Sequence, residues 1–101
     1  MSNCNNRETT ALAQAVLSLK STAEVKNFLR DLLTEQEIIE FGKRFKAAKM
    51  LDRSVSYLAI EKETGLSSTT IARVSRWLRK GMGGYRLVIS RLSHHANPSG
   101  K

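Results

Sequence analysis

The 101-residue sequence has few residues that could form disulfides, metal clusters or rigid chain reversals, since it contains one cysteine and one proline. A single thiol cannot form an internal disulfide, and Cys4 lies in the polar segment MSNCNN, where an exposed thiol without a function is the simplest interpretation. His94 and His95 have no carboxylate or thiol near them in the sequence. We therefore expect no metal site and no cofactor.

Long apolar runs are also absent. No segment approaches the roughly 20 apolar residues of a transmembrane helix, and the amino terminus lacks the hydrophobic core of a signal peptide. These absences favour a cytoplasmic, nucleoid-associated protein with no membrane partner. The carboxylates are scattered along the chain and do not recur in a pattern typical of an active site, so the sequence does not favour an enzyme.

Acidic residues stop at Glu63, in a chain whose formal net charge is +8 and whose isoelectric point is about 10.2. Basic residues continue after that point: Arg73, Arg76, Arg79, Lys80, Arg86 and Arg91. The segment before it is also basic: Lys43, Arg44, Lys46, Lys49 and Arg53. Clustered cations displace the counterions condensed on a polyphosphate, which favours DNA as the partner. An anionic membrane surface and an acidic protein remain alternatives on charge alone.

Capping signals divide the chain into about six short helices with little room for strands, which predicts an all-α fold. The apolar spacing predicts a first helix over residues 10–20. Ser21 with Glu24 has the spacing of a capping box, and so does Thr34 with Glu37. The two boxes predict the starts of a second helix and of a longer third helix.

The length of the chain allows one domain with a modest core. We place this domain at residues 1–92, ending in a short helix that begins near Tyr85. Residues 93–101 contain Pro98 and Gly100 and have no apolar periodicity, so we predict a disordered tail there.

Residues 54–80 have the pattern of a helix-turn-helix. Gly65 is placed to end the first helix in a left-handed conformation, and Ser67 is placed to cap the second. The predicted apolar face of the first helix consists of Val55, Leu58, Ala59 and Ile60. The predicted inward stripe of the second consists of Ile71, Val74 and Leu78. In a helix-turn-helix the second helix enters the major groove of DNA.

Nine residues of this segment are candidates for contacting DNA: Tyr57, Ser67, Ser68, Thr69, Thr70, Arg73, Arg76, Arg79 and Lys80. The hydroxyls begin the second helix, where side chains and backbone N–H groups can bind phosphate. Arg73 and Arg76 can reach guanine or a phosphate, whereas Arg79 and Lys80 lie later in the helix and are expected to touch phosphate. For Ser67 a role as helix cap is the simpler interpretation.

The order of five segments, LTEQE, FGKRF, AAKML, ETG and TTIARVSRWL, resembles the Trp repressor superfamily and, within it, the YerC/YecD-type branch. The resemblance extends from about Leu12 to Leu92. It implies an all-helical, intertwined homodimer with a shared core, in which the helix-turn-helix of each subunit projects outward. It also implies double-stranded DNA as the partner.

The resemblance further implies a candidate effector pocket formed by Thr34, Arg44, Arg73, Val74 and Trp77. In the Trp repressor a threonine and two arginines help to form the tryptophan pocket, and this sequence has those residue types at Thr34, Arg44 and Arg73. Val74 and Trp77 stand where the Trp repressor has a glycine and a serine, and their bulk argues against tryptophan as the effector. Structural interpretations compete: a helix cap for Thr34, an exposed basic face for Arg44, and core or interface for Trp77.

These features predict a sequence-specific transcriptional regulator, most simply a repressor that binds a palindromic operator as a homodimer. The first two helices and the last present more apolar surface than a monomer of this size comfortably buries, which independently favours a dimer. Two alternatives stay open. One is a DNA-binding module of recombination or sigma-like machinery, and the other is a repressor with a different small-molecule effector.

Overall fold

The computed structural model describes residues 6–96, and this part of the chain forms six α-helices and no strand. They are α1 (Arg7–Leu17), α2 (Thr22–Leu32), α3 (Glu35–Asp52), α4 (Tyr57–Thr64), α5 (Ser68–Lys80) and α6 (Gly84–Ala96). The predicted all-α class is confirmed. Among the described residues no helix is both long and apolar enough to cross a membrane. Cys4, the side chain of His95 and the chain from residue 97 onward lie outside the description, as do the predictions made for them.

The chain consists of two compact units, residues 1–38 and residues 39–101. The first unit contains α1, α2 and the start of α3. Asn6 caps α1 by accepting a hydrogen bond from the Thr9 amide at 2.8 Å, so this helix begins at Arg7, before the predicted start at residue 10. No residue of α1 or α2 is buried within the chain.

Side-chain caps begin the second and third helices as predicted. The Ser21 hydroxyl accepts a hydrogen bond from the Glu24 amide at 3.1 Å. At α3 the exchange is reciprocal, because the Thr34 amide donates to the Glu37 carboxylate at 2.8 Å and the Glu37 amide donates to the Thr34 hydroxyl at 3.1 Å. Each bond satisfies a backbone N–H group that the helix itself cannot pair.

The second unit contains a small hydrophobic core to which α3, α4, α5 and α6 all contribute. Its buried apolar residues are Ala47, Ala48, Leu51, Ile60, Leu66, Ile71, Val74, Leu78 and Ile89. Phe45, Met50, Val55 and Tyr85 pack against it and are partly buried. The inward stripe predicted for the second helix of the helix-turn-helix, which is α5, is therefore confirmed.

The turn between α4 and α5 has the geometry of the predicted helix-turn-helix. Gly65 ends α4 with a φ of 77°, a left-handed conformation that glycine adopts without strain. The buried Thr64 hydroxyl donates to the Ile60 carbonyl at 2.7 Å and accepts from the Leu66 amide at 3.1 Å. Ser67 then caps α5 by accepting from the Thr70 amide at 3.1 Å.

Two residues of the apolar face predicted for the first helix of the helix-turn-helix are instead exposed within the chain. They are Leu58, which is 63% exposed, and Ala59. Because α4 begins at Tyr57, after the Ser56 cap, Ile60 and Thr64 share its buried face and Leu58 lies on the other side.

The last helix, α6, continues to Ala96, past residue 92, where the sequence analysis ended the domain, and the division into domain and tail stays a prediction. The residues from Ser93 to Ala96 have no helix-breaking type among them. The first strong breaker is Pro98, which disfavours helical geometry in the residue before it.

Glycines lie between α5 and α6, and the break between these helices depends on close backbone packing. A Cβ atom added to Gly81 would lie 2.4 Å from the Trp77 carbonyl oxygen, a backbone atom that cannot move aside independently. Gly83 has a φ of 86°. The chain can therefore end α5 and turn into α6 without steric conflict because both positions lack side chains.

We expect Gly81→Ala to lower the free energy of unfolding by about 1–3 kcal/mol, because the new methyl group collides with the end of α5. Gly42 provides the matched control, since it lies inside α3 and an added Cβ would meet nothing within 4 Å apart from its chain neighbours and the adjacent backbone of its own helix. Gly42→Ala should stabilise by about 0.5–1 kcal/mol through the lower entropy of the unfolded chain. Urea unfolding of both variants measures the difference, and equal stabilities would contradict the proposed collision.

Candidate DNA-binding surface

The orientation of α5 is set by its buried stripe, and the opposite face carries the candidate contacts. At about 100° per residue, four exposed residues lie roughly 140–180° around the helix from Ile71. These four are Thr69, Arg73, Arg76 and Lys80. A helix held on one side by apolar burial thus presents one hydroxyl and three cations on the other.

The four hydroxyls at the start of α5 divide into two pairs. Ser67 and Thr70 bond to each other, because the Ser67 hydroxyl donates to the Thr70 hydroxyl at 3.1 Å while accepting from the Thr70 amide. Their oxygens therefore serve the helix cap. Ser68 and Thr69 are exposed in the first turn, beside backbone N–H groups that point out of the helix. Of the four, this second pair is the better placed to meet a phosphate.

The remaining residues predicted to contact DNA differ in whether their side chains already have a partner within the chain. Arg79 donates from Nε to the hydroxyl of the buried Ser75 at 3.2 Å, so its stem lies back along the helix. Arg76 and Lys80 are exposed on the outward face. Tyr57 is the first residue of α4 and is 40% exposed. The predicted set therefore contains residues that face outward and residues with partners in the chain.

Four of the five residues of the candidate effector pocket come together in the second unit. Arg44, Arg73, Val74 and Trp77 line a cavity of about 190 Å³. Thr70 and Tyr85 complete its lining. The sequence did not indicate a role for Tyr85, since only the glycine turn returns it to this cavity. Thr34, the fifth predicted residue, belongs to the first unit, where it caps α3.

Arg44 already has two partners on its own helix. Its Nε lies 3.3 Å from the Glu40 carboxylate, and its guanidinium carbon lies 5.6 Å from the centre of the Phe41 ring. Both partners were missed from the sequence, although their spacings of three and four residues are those of neighbours on a helix surface. An anion that approaches Arg44 must compete with Glu40.

Trp77 forms the boundary between this cavity and an apolar groove. The groove has a volume of about 530 Å³ and is lined by Phe45, Trp77, Gly81, Met82, Gly84, Tyr85 and Val88. Trp77 is 57% exposed. Within one chain its indole lines both the cavity and the groove and does not fill either of them.

An ion pair links α3 to the helix-turn-helix. The Lys46 ammonium group donates to the Glu63 carboxylate at 2.8 Å, and this hydrogen bond, followed by the positive charge of Lys46, lowers the pKa of the Glu63 carboxyl. Both side chains are about half exposed, so solvent screens the pair and its contribution to stability is small. Its main effect on the surface is to neutralise the last acidic residue of the chain.

The described residues contain no group of three or more histidine, cysteine, aspartate or glutamate side chains that could hold a metal ion. What the site offers is therefore a row of cations and hydroxyls on one helix, with an arginine-lined cavity beside it.

Comparison with known proteins finds one family over most of the chain. The family model for the Trp repressor protein matches residues 7–93. The uncharacterized protein YerC of Bacillus subtilis is 38% identical over 86 residues, which cover 85% of this chain and 83% of YerC.

Solved structures agree with this assignment. A TrpR-like protein from Eubacterium eligens is 41% identical and superimposes with a TM-score of 0.85, covering 90% of this chain and 94% of its own. A candidate Trp repressor from Staphylococcus aureus is 31% identical and also superimposes with a TM-score of 0.85. The match covers 92% of this chain and 96% of the Staphylococcus aureus chain.

Proposed function

Because the chain belongs to the Trp repressor family, we propose that it is a sequence-specific DNA-binding transcriptional regulator that represses from a palindromic operator. The main support beyond the family is the outward face of α5, where one hydroxyl and three cations lie opposite the buried stripe. A helix of this kind can place its amino-terminal residues against base edges in the major groove. We place the protein in the cytoplasm with the nucleoid.

The residues of this face have separate roles in the proposal. Thr69 and Arg76 lie toward the first half and middle of the outward face, where side chains reach bases. Ser68 and Tyr57 contact the phosphate backbone, as does Lys80 in the last turn. Ser67 and Thr70 act through the helix cap, since their hydroxyls already bond to each other.

We propose that the regulator is a homodimer. None of the residues of α1 and α2 is buried within the chain, yet Leu12, Val16 and Leu32 are between 40% and 47% exposed and Leu17 is 84% exposed. A second copy would cover these apolar faces and would also place two recognition helices on the two halves of a palindrome.

We propose that tryptophan is not the effector. Val74 is 3% exposed and belongs to the core, so it cannot move aside to admit an indole ring. The cavity of about 190 Å³ is also smaller than the roughly 300–1,000 Å³ of usual ligand pockets. Either the protein binds DNA without a ligand, or a smaller anion occupies the space between Arg44 and Arg73.

Selection of bound fragments from a random DNA pool, followed by footprinting, tests the regulator proposal directly. We expect a short palindromic consensus and a protected region of matching length. Uniform coverage of all fragments would contradict sequence-specific regulation and would favour a role in other DNA machinery.

Substitutions on α5 should separate base readout from phosphate contact. Arg76→Ala and Thr69→Ala should each weaken binding to the selected consensus by about 1–3 kcal/mol and relax its sequence preference. Lys80→Ala should weaken all sequences alike and reduce the slope of log affinity against log salt by about one. Fluorescence anisotropy across a salt series measures both effects. If neither class of variant changes binding, α5 is not the recognition helix.

For assembly, we expect sedimentation equilibrium at micromolar concentration to give twice the 11.3 kDa mass of one chain. Val16→Asp places a charge on the apolar face of α1 and should shift the equilibrium toward the monomer. Gln14→Asp, on the other side of the same helix, is the matched control and should leave the dimer intact. A single-chain mass that does not vary with concentration would contradict the dimer.

Calorimetric titration with L-tryptophan should give no saturable heat, and millimolar tryptophan should leave the DNA affinity unchanged. Overfilling a packed site costs about 1–3 kcal/mol, which weakens a ligand roughly tenfold or more. Val74→Gly should enlarge the cavity and increase any residual heat. Micromolar binding to the unaltered protein that tightens its DNA complex would show that tryptophan is the effector.

A further inference from the structure

Arg86 belongs to the acid-free basic half of the sequence and is exposed, but its side chain is bonded to the backbone of the protein itself. Its Nε donates a hydrogen bond of 2.9 Å to the carbonyl of Leu78, at a partly buried position. The two residues are eight apart and lie on opposite sides of the glycine turn, Arg86 near the start of α6 and Leu78 near the end of α5.

The carbonyl that receives this bond is one that the helix leaves without an internal partner. The last four carbonyls of an α-helix have no amide ahead of them within the helix, and in α5 these belong to residues 77–80. The Gly81 amide donates to the Trp77 carbonyl at 2.9 Å, and Arg86 donates to the next one. A cation at this end also interacts favourably with the helix dipole.

The glycine turn makes this bond geometrically feasible. The φ of 86° at Gly83 and the close approach of Gly81 to the Trp77 carbonyl reverse the chain within a few residues. The first turn of α6 is thereby brought back to the end of α5. Arg86 can reach the Leu78 carbonyl because it lies in that first turn.

We propose that Arg86 is a positioning residue that caps the carboxyl-terminal turn of the recognition helix and is not a contact to DNA phosphate. The inference rests on the proposed DNA-binding function. Arg79 and Lys80 are carried on the turn that Arg86 caps. Arg86 therefore acts on DNA affinity by keeping that turn helical, and it adds nothing to the number of neutralised phosphates.

Two substitutions separate the bond from the charge. Gln has an N–H donor at the same chain position as the arginine Nε, so Arg86→Gln retains the bond and loses the charge. Arg86→Met has similar length and removes both. Arg91, an exposed arginine on the same helix, provides matched controls, because Arg91→Gln and Arg91→Met remove the same charge.

The first measurement is amide hydrogen exchange of the DNA-free protein, read at Gly81 and in the last turn of α5. We expect Arg86→Met to speed exchange there by roughly fivefold to tenfold, since one charge-assisted hydrogen bond is lost. Arg86→Gln should speed exchange less than Arg86→Met, because it keeps the bond without the charge, and both Arg91 variants should exchange at the wild-type rate. This measurement tests the cap whether or not the protein binds DNA.

The second measurement is DNA affinity across a salt series. Arg86→Met should weaken binding by about threefold to tenfold beyond Arg91→Met at every salt concentration, with the same salt slope. Arg86→Gln should lie closer to Arg91→Gln in affinity than Arg86→Met does to Arg91→Met, and it should match Arg91→Gln in slope. A phosphate contact would instead reduce the slope by about one in both Arg86 variants and in neither Arg91 variant.

Unchanged exchange in Arg86→Met, or a reduced slope in Arg86→Gln, would overturn the proposal. If Arg86→Met does not fold, the comparison of Arg86→Gln with Arg91→Gln still decides between cap and phosphate contact. If no variant and no wild-type protein binds DNA, the regulator proposal fails while the exchange result continues to test the cap.

Discussion

The burial of one narrow apolar stripe on α5 is the interaction on which the candidate site depends. Ile71 is completely buried, and Val74 and Leu78 are 3% and 5% exposed. These side chains share a core with the small residues Ala47 and Ala48 of α3, which allow close packing of helices. Deleting a buried side chain of this size typically costs about 2–5 kcal/mol, against a total stability of about 5–15 kcal/mol for a small domain. The direction in which α5 presents its cations follows from this burial.

Some cations of the chain have partners within the protein and others are exposed without one of the contacts described above. The net charge alone does not distinguish the two groups. Some have partners within the protein: Arg44 with Glu40, Lys46 with Glu63, Arg79 with Ser75 and Arg86 with a backbone carbonyl. Others lie exposed on the outward face of α5. Part of the positive charge of this protein therefore serves contacts within the chain, and only the rest is available to a partner.

The candidate effector cavity is coupled to α5 through shared residues. Arg73, Val74 and Trp77 line the cavity and lie on α5, so any occupant would touch the helix that we propose faces DNA. Val74 also belongs to the core. A change that enlarges the cavity at this residue consequently weakens the packing that orients α5, so the size of the cavity and the stability of the second unit are linked.

Features that depend on bonds between near neighbours were determined by the sequence itself. The caps at Ser21, Thr34 and Ser67 and the left-handed Gly65 were predictable, because each involves residues at most four positions apart. The tertiary structure decided which apolar side chains were buried and which cations had partners. Arg86 reached a carbonyl eight residues away, and Tyr85 came to line the same cavity as Arg44, because the glycine turn folded α6 back. Such contacts depend on the path of the chain in space, which local spacing does not encode.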